Sequence, residues 1–133
     1  MKLRRASSYA LHAVTFMAAQ KNDRPVASHH IAHARGIPER FLLKVLKPLV
    51  SARVLLSIKG PNGGYRLAKS AGDITMLEVL EAVDGPIRGM APQNHGESNG
   101  PLHSKLENIC KQTAEQTRKQ LDKVKVSDLV GKR

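Results

Sequence analysis

Residues 36–67 read GIPERFLLKVLKPLVSARVLLSIKGPNGGYRL, and the period of their apolar positions changes midway. In the first part Phe41, Leu42, Val45, Leu46 and Leu49 recur at helical spacing, which predicts a helix with those five side chains as its buried stripe. Gly36 is the residue type that closes a preceding helix in the left-handed conformation, and Pro38 suits the first turn of the next one. After Arg53, VLLSI and GYRLA are short and rich in branched apolar residues. They are joined by KGPNGG, where Gly and Asn tolerate positive φ and Pro presets its own. The stretch therefore predicts a helix followed by a β-hairpin.

Working outward, LRRASSYALHAVTFMAA places Leu3, Ala6, Ala10, Ala13, Val14 and Met17 at helical spacing, and QKNDRP ends that helix. A short helix from Ser28, whose hydroxyl can cap free backbone donors, runs to Gly36. Beyond the hairpin, ITMLEVLEAVDG reads as a fourth helix with Thr75 and Glu78 at capping-box spacing, stopped by Gly85 and Pro86. A Gly-, Pro-, Asn- and Ser-rich loop follows, and Leu102, Leu106, Ile109, Thr113, Leu121 and Val124 then outline an amphipathic helix of about 20 residues. The expected architecture is mainly α with a small β-hairpin. Helix, helix-turn-helix and hairpin in that order make a winged helix-turn-helix domain over residues 1–85. Residues 86–101 form a flexible loop, and 102–133 hold the long helix and a C-terminal tail.

The charge is divided unevenly. Residues 1–70 carry 13 Lys and Arg against Asp23 and Glu39, whereas residues 71–133 carry 9 basic and 9 acidic residues, so the whole excess of +11 sits in the first half. That is the footprint of a polyanion partner. A membrane surface suits it poorly, because surface-binding helices carry Trp or Phe and this chain has no Trp and two Phe. No run approaches the roughly 20 apolar residues of a membrane span, and the N-terminus lacks an export signal, so a cytoplasmic protein is expected. One cysteine, Cys110, leaves no internal disulfide. The scattered acidic residues form no catalytic constellation, so an enzyme is not expected.

Double-stranded DNA is the expected partner. In a winged helix-turn-helix the second helix of the pair enters the major groove, and the hairpin presses its tip on the adjacent backbone or minor groove. A tip of that kind needs little side-chain bulk and a nearby cation, which Lys59, Gly60, Asn62, Gly63, Gly64 and Arg66 provide.

The chain resembles the Rrf2 family of bacterial transcriptional regulators. The resemblance is carried by SSYALHAVTFMAA, IAHARGIPERFLLKVLKPLVSARVL, GPNGGYRLA and ITMLEVLEAVDG. It implies a homodimer joined through the long helix, with both winged domains facing a near-palindromic operator, and repression is the default for so small a regulator. By position it makes Pro38, Glu39, Arg40 and Lys44 the major-groove reader. Lys59, Gly60, Asn62, Gly63 and Gly64 match the wing, and Arg4, Arg5 and Ser7 match positions near phosphate. The physics adds that Arg40 can pair with guanine edges, while Lys47 joins Arg4 and Arg5 as a phosphate contact.

Two departures stand out. Many members hold an iron-sulfur cluster through three cysteines in the loop before the long helix. Here that loop contains none, and Ser8 stands where an acidic residue is common in helix one. No cofactor is therefore expected, since one thiolate cannot hold such a cluster. Pro48 interrupts the third helix, where it removes a donor and bends the helix away from its reading end.

Other constellations have plainer readings. His29 and His33, four apart with His30 beside them, have the spacing of two metal ligands but also that of a polar helix surface. His95 and His103 lie where relatives keep a sensor. Cys110, four after Leu106, reads as core or dimer interface, with a sensing thiol as the alternative. A small molecule or partner protein as effector, and a winged helix serving as an RNA-binding or docking module, are the competing functions. The few aromatics, mostly at core-like positions, favour duplex DNA over single-stranded RNA.

Overall fold

The computed structural model describes residues 1–91 and 100–131. Its elements are α1 (Arg5–Ala18), α2 (Ser28–Arg35), α3 (Glu39–Ser51), β1 (Leu55–Ile58), β2 (Gly64–Leu67), a 3₁₀ turn (Ala71–Asp73), α4 (Met76–Asp84), α5 (Pro101–Asp122) and α6 (Val126–Leu129). This is the winged helix-turn-helix with a long C-terminal helix.

α1 is the central helix. Its inward face is Ser7, Ala10, Ala13, Val14 and Met17. Leu3, expected to start that stripe, precedes the helix and is exposed. Alanines at the middle of the face let α2, α3, α4, α6 and β2 all approach it. The core they enclose contains Ile31, Leu42, Leu46, Leu49, Val54, Leu55, Ile74 and Val79.

α2 ends as its sequence dictates, with Gly36 at φ 64°. Its start differs from expectation: Ala27 is the N-cap and no side chain caps the helix. The Ser28 hydroxyl instead donates to Glu39 Oε2 at 2.7 Å, tying the first residue of α2 to the first residue of α3. α3 runs three residues beyond Pro48 and closes with Val54 N–H donating to the Leu49 carbonyl at 3.0 Å, which requires Arg53 to take φ 62°.

The hairpin is antiparallel in the register Leu55 with Leu67, Leu56 with Arg66, Ser57 with Tyr65 and Ile58 with Gly64. Val26, from the α1–α2 linker, adds an isolated antiparallel bridge to β2 by exchanging two 2.8 Å backbone bonds with Tyr65. α4 begins with the expected capping box, Glu78 N–H donating to Thr75 Oγ1 at 3.0 Å.

After α5 the described chain folds back onto the first half. α5 ends at Asp122, so Val124 lies outside the helix whose stripe it was expected to join. The Val124 carbonyl accepts from Met76 N–H, and Val126 N–H donates to the Ile74 carbonyl, both at 2.8 Å. This clip places the fully buried Val126 in the same core as α1 and α3, while Leu121 packs on Leu77 and Leu80. A boundary at residue 102 thus cuts through shared packing. α6 has four residues, too short for periodicity to reveal.

Candidate nucleic-acid interface

Arg40, Lys44 and Lys47 follow one another on α3 at helical spacing, so they share a face. All three are exposed, with Leu42, Val45, Leu46 and Leu49 buried on the other side. Pro38 is the N-cap of this helix, which brings the first exposed cation onto its opening turn. Glu39 is exposed, with one carboxylate oxygen taken by Ser28.

Phe41 departs from the expected buried stripe, being 37% exposed. At 3.6 residues per turn it lies about a quarter-turn from the middle of the buried row. The Arg40 guanidinium carbon lies 4.8 Å from the centroid of its ring, and Lys44 Nζ lies 5.7 Å from it. Leu43 is also exposed, beside the cations. The expected stripe leaves out Leu43 but includes Phe41, because an apolar residue at the edge of a helical stripe carries no signal of its side.

The wing tip presents Lys59, Gly60, Pro61 and Asn62 to solvent. Gly60 has φ 112° and nothing within 4 Å of where a Cβ would stand, so its backbone is open to close approach. Gly63 and Gly64 serve the protein itself. A Cβ at Gly63 would run into the Ile58 carbonyl, and one at Gly64 into the Val26 carbonyl. Arg66 is set apart from the tip. It pairs with Leu56 across the hairpin, is half-buried, and lines a cavity of about 490 Å³ with Met17, Arg24 and Lys69. Its Nε is buried with no protein acceptor.

Arg4 and Arg5 are exposed at the N-terminal end of α1. Met17, near the other end, lines the cavity at the base of the wing, so these arginines sit most of a helix length away, about 20 Å at 1.5 Å per residue. Ser7 corrects an expectation: it is fully buried, and its hydroxyl donates to Asp84 Oδ2 at the end of α4. A residue on the inward face of α1 cannot reach a phosphate, and its role is to tie two helices together.

His29 and His33 are exposed, and His103 pairs with Glu107 at 3.3 Å along α5. His95 lies outside the described residues. Among the described residues no group of three or more His, Cys, Asp or Glu side chains is arranged to hold a metal. Cys110 is half-buried on α5, where Gly89 packs so closely that a Cβ would strike the Cys110 carbonyl. Next to this contact Glu81 Oε2 accepts from Ile87 N–H at 2.8 Å and from Arg118.

A helix-turn-helix whose second helix carries a row of exposed cations, followed by a wing with an open glycine tip, is the arrangement of a DNA-binding transcriptional regulator of the winged helix-turn-helix class. The chain belongs to the Rrf2 family, whose model, described as an iron-dependent transcriptional regulator, matches residues 3–132. BadM of Rhodopseudomonas palustris, named as an HTH-type transcriptional regulator, is 35% identical over 112 residues, which cover 82% of this chain and 70% of BadM. IscR of Photobacterium profundum, another HTH-type transcriptional regulator, is 33% identical over 99 residues, covering 74% of this chain and 56% of IscR. CymR, the global cysteine regulator of B. subtilis, superposes with a TM-score of 0.75 at 26% identity, covering 97% of this chain and 95% of CymR. The family and these relatives are regulators of transcription and not enzymes. No helix among the described residues is long and apolar enough to cross a membrane.

The buried hydroxyl and the exposed arginines separate in one experiment. Ser7→Ala should lower stability by about 1–2 kcal/mol in urea unfolding, through loss of a part-buried hydrogen bond to a carboxylate, and leave the salt dependence of DNA binding unchanged. A salt slope altered by Ser7→Ala with stability intact would return Ser7 to the surface.

Proposed function

We propose that the protein is a cytoplasmic, homodimeric repressor that reads a near-palindromic operator through α3 and holds no iron-sulfur cluster. The observation that carries the reading is the exposed row Arg40, Lys44 and Lys47 opposite a fully buried face. In this reading Pro38 sets the entry of α3 into the major groove, and Glu39 and Arg40 meet base edges with Lys44 one turn on. Lys47, Arg4 and Arg5 meet phosphates. Lys59, Gly60 and Asn62 press the wing on the adjacent groove, with Gly63 and Gly64 shaping the turn. Arg66 acts behind the tip, since it lines the cavity at the wing base.

Binding to a selected operator should weaken steeply with salt, and Arg4→Ala or Arg5→Ala should make that slope shallower by about one unit each. Arg40→Ala should cost about 1–3 kcal/mol on the operator, relax preference at one base pair per half-site, and cost little on random duplex. Equal losses on both DNAs would make Arg40 a phosphate contact and remove α3 as the reader.

The dimer reading is supported by α5. Leu102, Leu106 and Ile109 fall in one row and are 70%, 42% and 57% exposed, an apolar stripe left open among the described residues. The double variant Leu106→Glu, Ile109→Glu should sediment as a monomer and bind the operator far more weakly. A variant that remains dimeric would move the interface elsewhere.

The cluster-free reading rests on the donor set. The family description names iron, yet this chain holds one cysteine, carried on α5 with its backbone against Gly89. The residues present do not fit a cluster ligated by several thiolates. Protein purified without oxygen and offered iron and sulfide should stay colourless and bind its operator unchanged. Visible absorption with stoichiometric iron and sulfide would overturn this, and an oxidant response abolished by Cys110→Ser would make Cys110 a sensing thiol.

A further inference from the structure

We propose that Phe41 is a positioning residue for DNA readout: its ring holds the Arg40 guanidinium and the Lys44 ammonium in place on α3 before DNA arrives. The inference rests on α3 being the reading helix. Phe41 is 37% exposed, outside the buried row Leu42, Val45, Leu46 and Leu49 and, like Leu43, on the open side of α3, so core packing alone does not account for a ring at this position. What surrounds it is charge. Both cations stand within the roughly 6 Å over which a ring's negative face attracts a cation, at 4.8 and 5.7 Å from one centroid.

Among the described residues neither Arg40 nor Lys44 enters a salt bridge, and the adjacent carboxylate, Glu39, accepts from Ser28. The chemistry of that choice matters. A carboxylate partner would occupy the N–H groups of the guanidinium and would have to be displaced by a guanine edge. An aromatic face restrains the same group without accepting a conventional hydrogen bond, leaving its donors for the base. Arg and Lys are long and lose rotamer freedom on binding, so a ring that narrows their conformations beforehand lowers the entropic cost of readout. The two cations also repel one another, and the shared ring offsets part of that repulsion.

The test compares Phe41→Leu, which keeps apolar bulk and loses the ring face, with Phe41→Tyr, which keeps both. Affinities are measured on the selected operator, on the operator mutated at the base pair that Arg40→Ala desensitises, and on random duplex. Phe41→Leu should lose roughly three- to tenfold on the operator, with discrimination at that base pair reduced and a smaller loss on random duplex. Phe41→Tyr should restore discrimination to within about twofold, and in an Arg40→Ala, Lys44→Ala background Phe41→Leu should add nothing. If Phe41→Leu does not bind random duplex at all, Phe41→Met takes its place with the same expectation. Leu and Tyr variants that behave alike overturn the proposal, as does a Phe41→Leu loss that persists in the double-alanine background, which would mean the ring touches DNA itself. Should Arg40→Ala leave discrimination intact, the failure belongs to α3 as reader and the positioning role falls with it.

Discussion

The packing of α1 is the constraint on which the rest of the molecule depends. Ser7, Ala10, Ala13, Val14 and Met17 make a narrow inward face, and five elements converge on it: α2, α3, α4, α6 and β2. Larger side chains at the two alanines would push those elements apart, since a close-packed interior has no room for added methylenes. Near its N-terminal end the helix is fixed to α4 by the Ser7–Asp84 bond, and near its C-terminal end Met17 lies at the base of the wing. One short-side-chain helix thereby sets where α3, the wing and, through α4, α5 stand relative to each other.

α3 was legible because its two faces obey different rules over thirteen residues. Leu42, Val45, Leu46 and Leu49 repeat with the helical period, Gly36 ends the element before it, and the change to VLLSI marks the hairpin. The capping box at Thr75 was legible for the same reason, as a local rule that is complete within four residues. What stayed hidden depends on partners distant in sequence. Ser7 looks like a polar surface residue until Asp84, 77 positions away, is brought beside it. Val26 reads as linker until Tyr65 pairs with it, and Val126 reads as tail until its backbone meets Ile74.

The glycines of the wing show how one sequence signal can answer two demands. From sequence, Gly60, Gly63 and Gly64 all satisfy the need for a backbone that approaches a phosphate. In the fold, only Gly60 faces open space, while Gly63 and Gly64 are held by carbonyls of Ile58 and Val26. A substitution at 63 or 64 therefore acts first on the shape of the hairpin, and any effect on DNA passes through that shape. The same distinction separates Arg66 from Lys59: both read as wing cations, but one lines a cavity behind the tip and the other is at the tip.

The division of charge bears on assembly as well as on DNA. Two chains of +11 brought together repel, and the repulsion grows as their basic halves approach. In this chain the excess lies entirely in residues 1–70, and the half that contains α5 is balanced at 9 basic and 9 acidic residues. A dimer formed through the apolar row of α5 therefore joins neutral surfaces, and separates the two basic domains by more than a Debye length if they sit beyond the ends of that seam. The repulsion that remains between those domains is relieved when a polyanion covers both, so DNA and the proposed α5 interface favour one another. Glu81, on α4, holds both the Ile87 N–H and Arg118 of α5, which couples the placement of the proposed seam to α4 and through Ser7–Asp84 to α1. The continuity runs from the proposed α5 seam to α1, against which α3 packs, through the chain's own side chains and backbone.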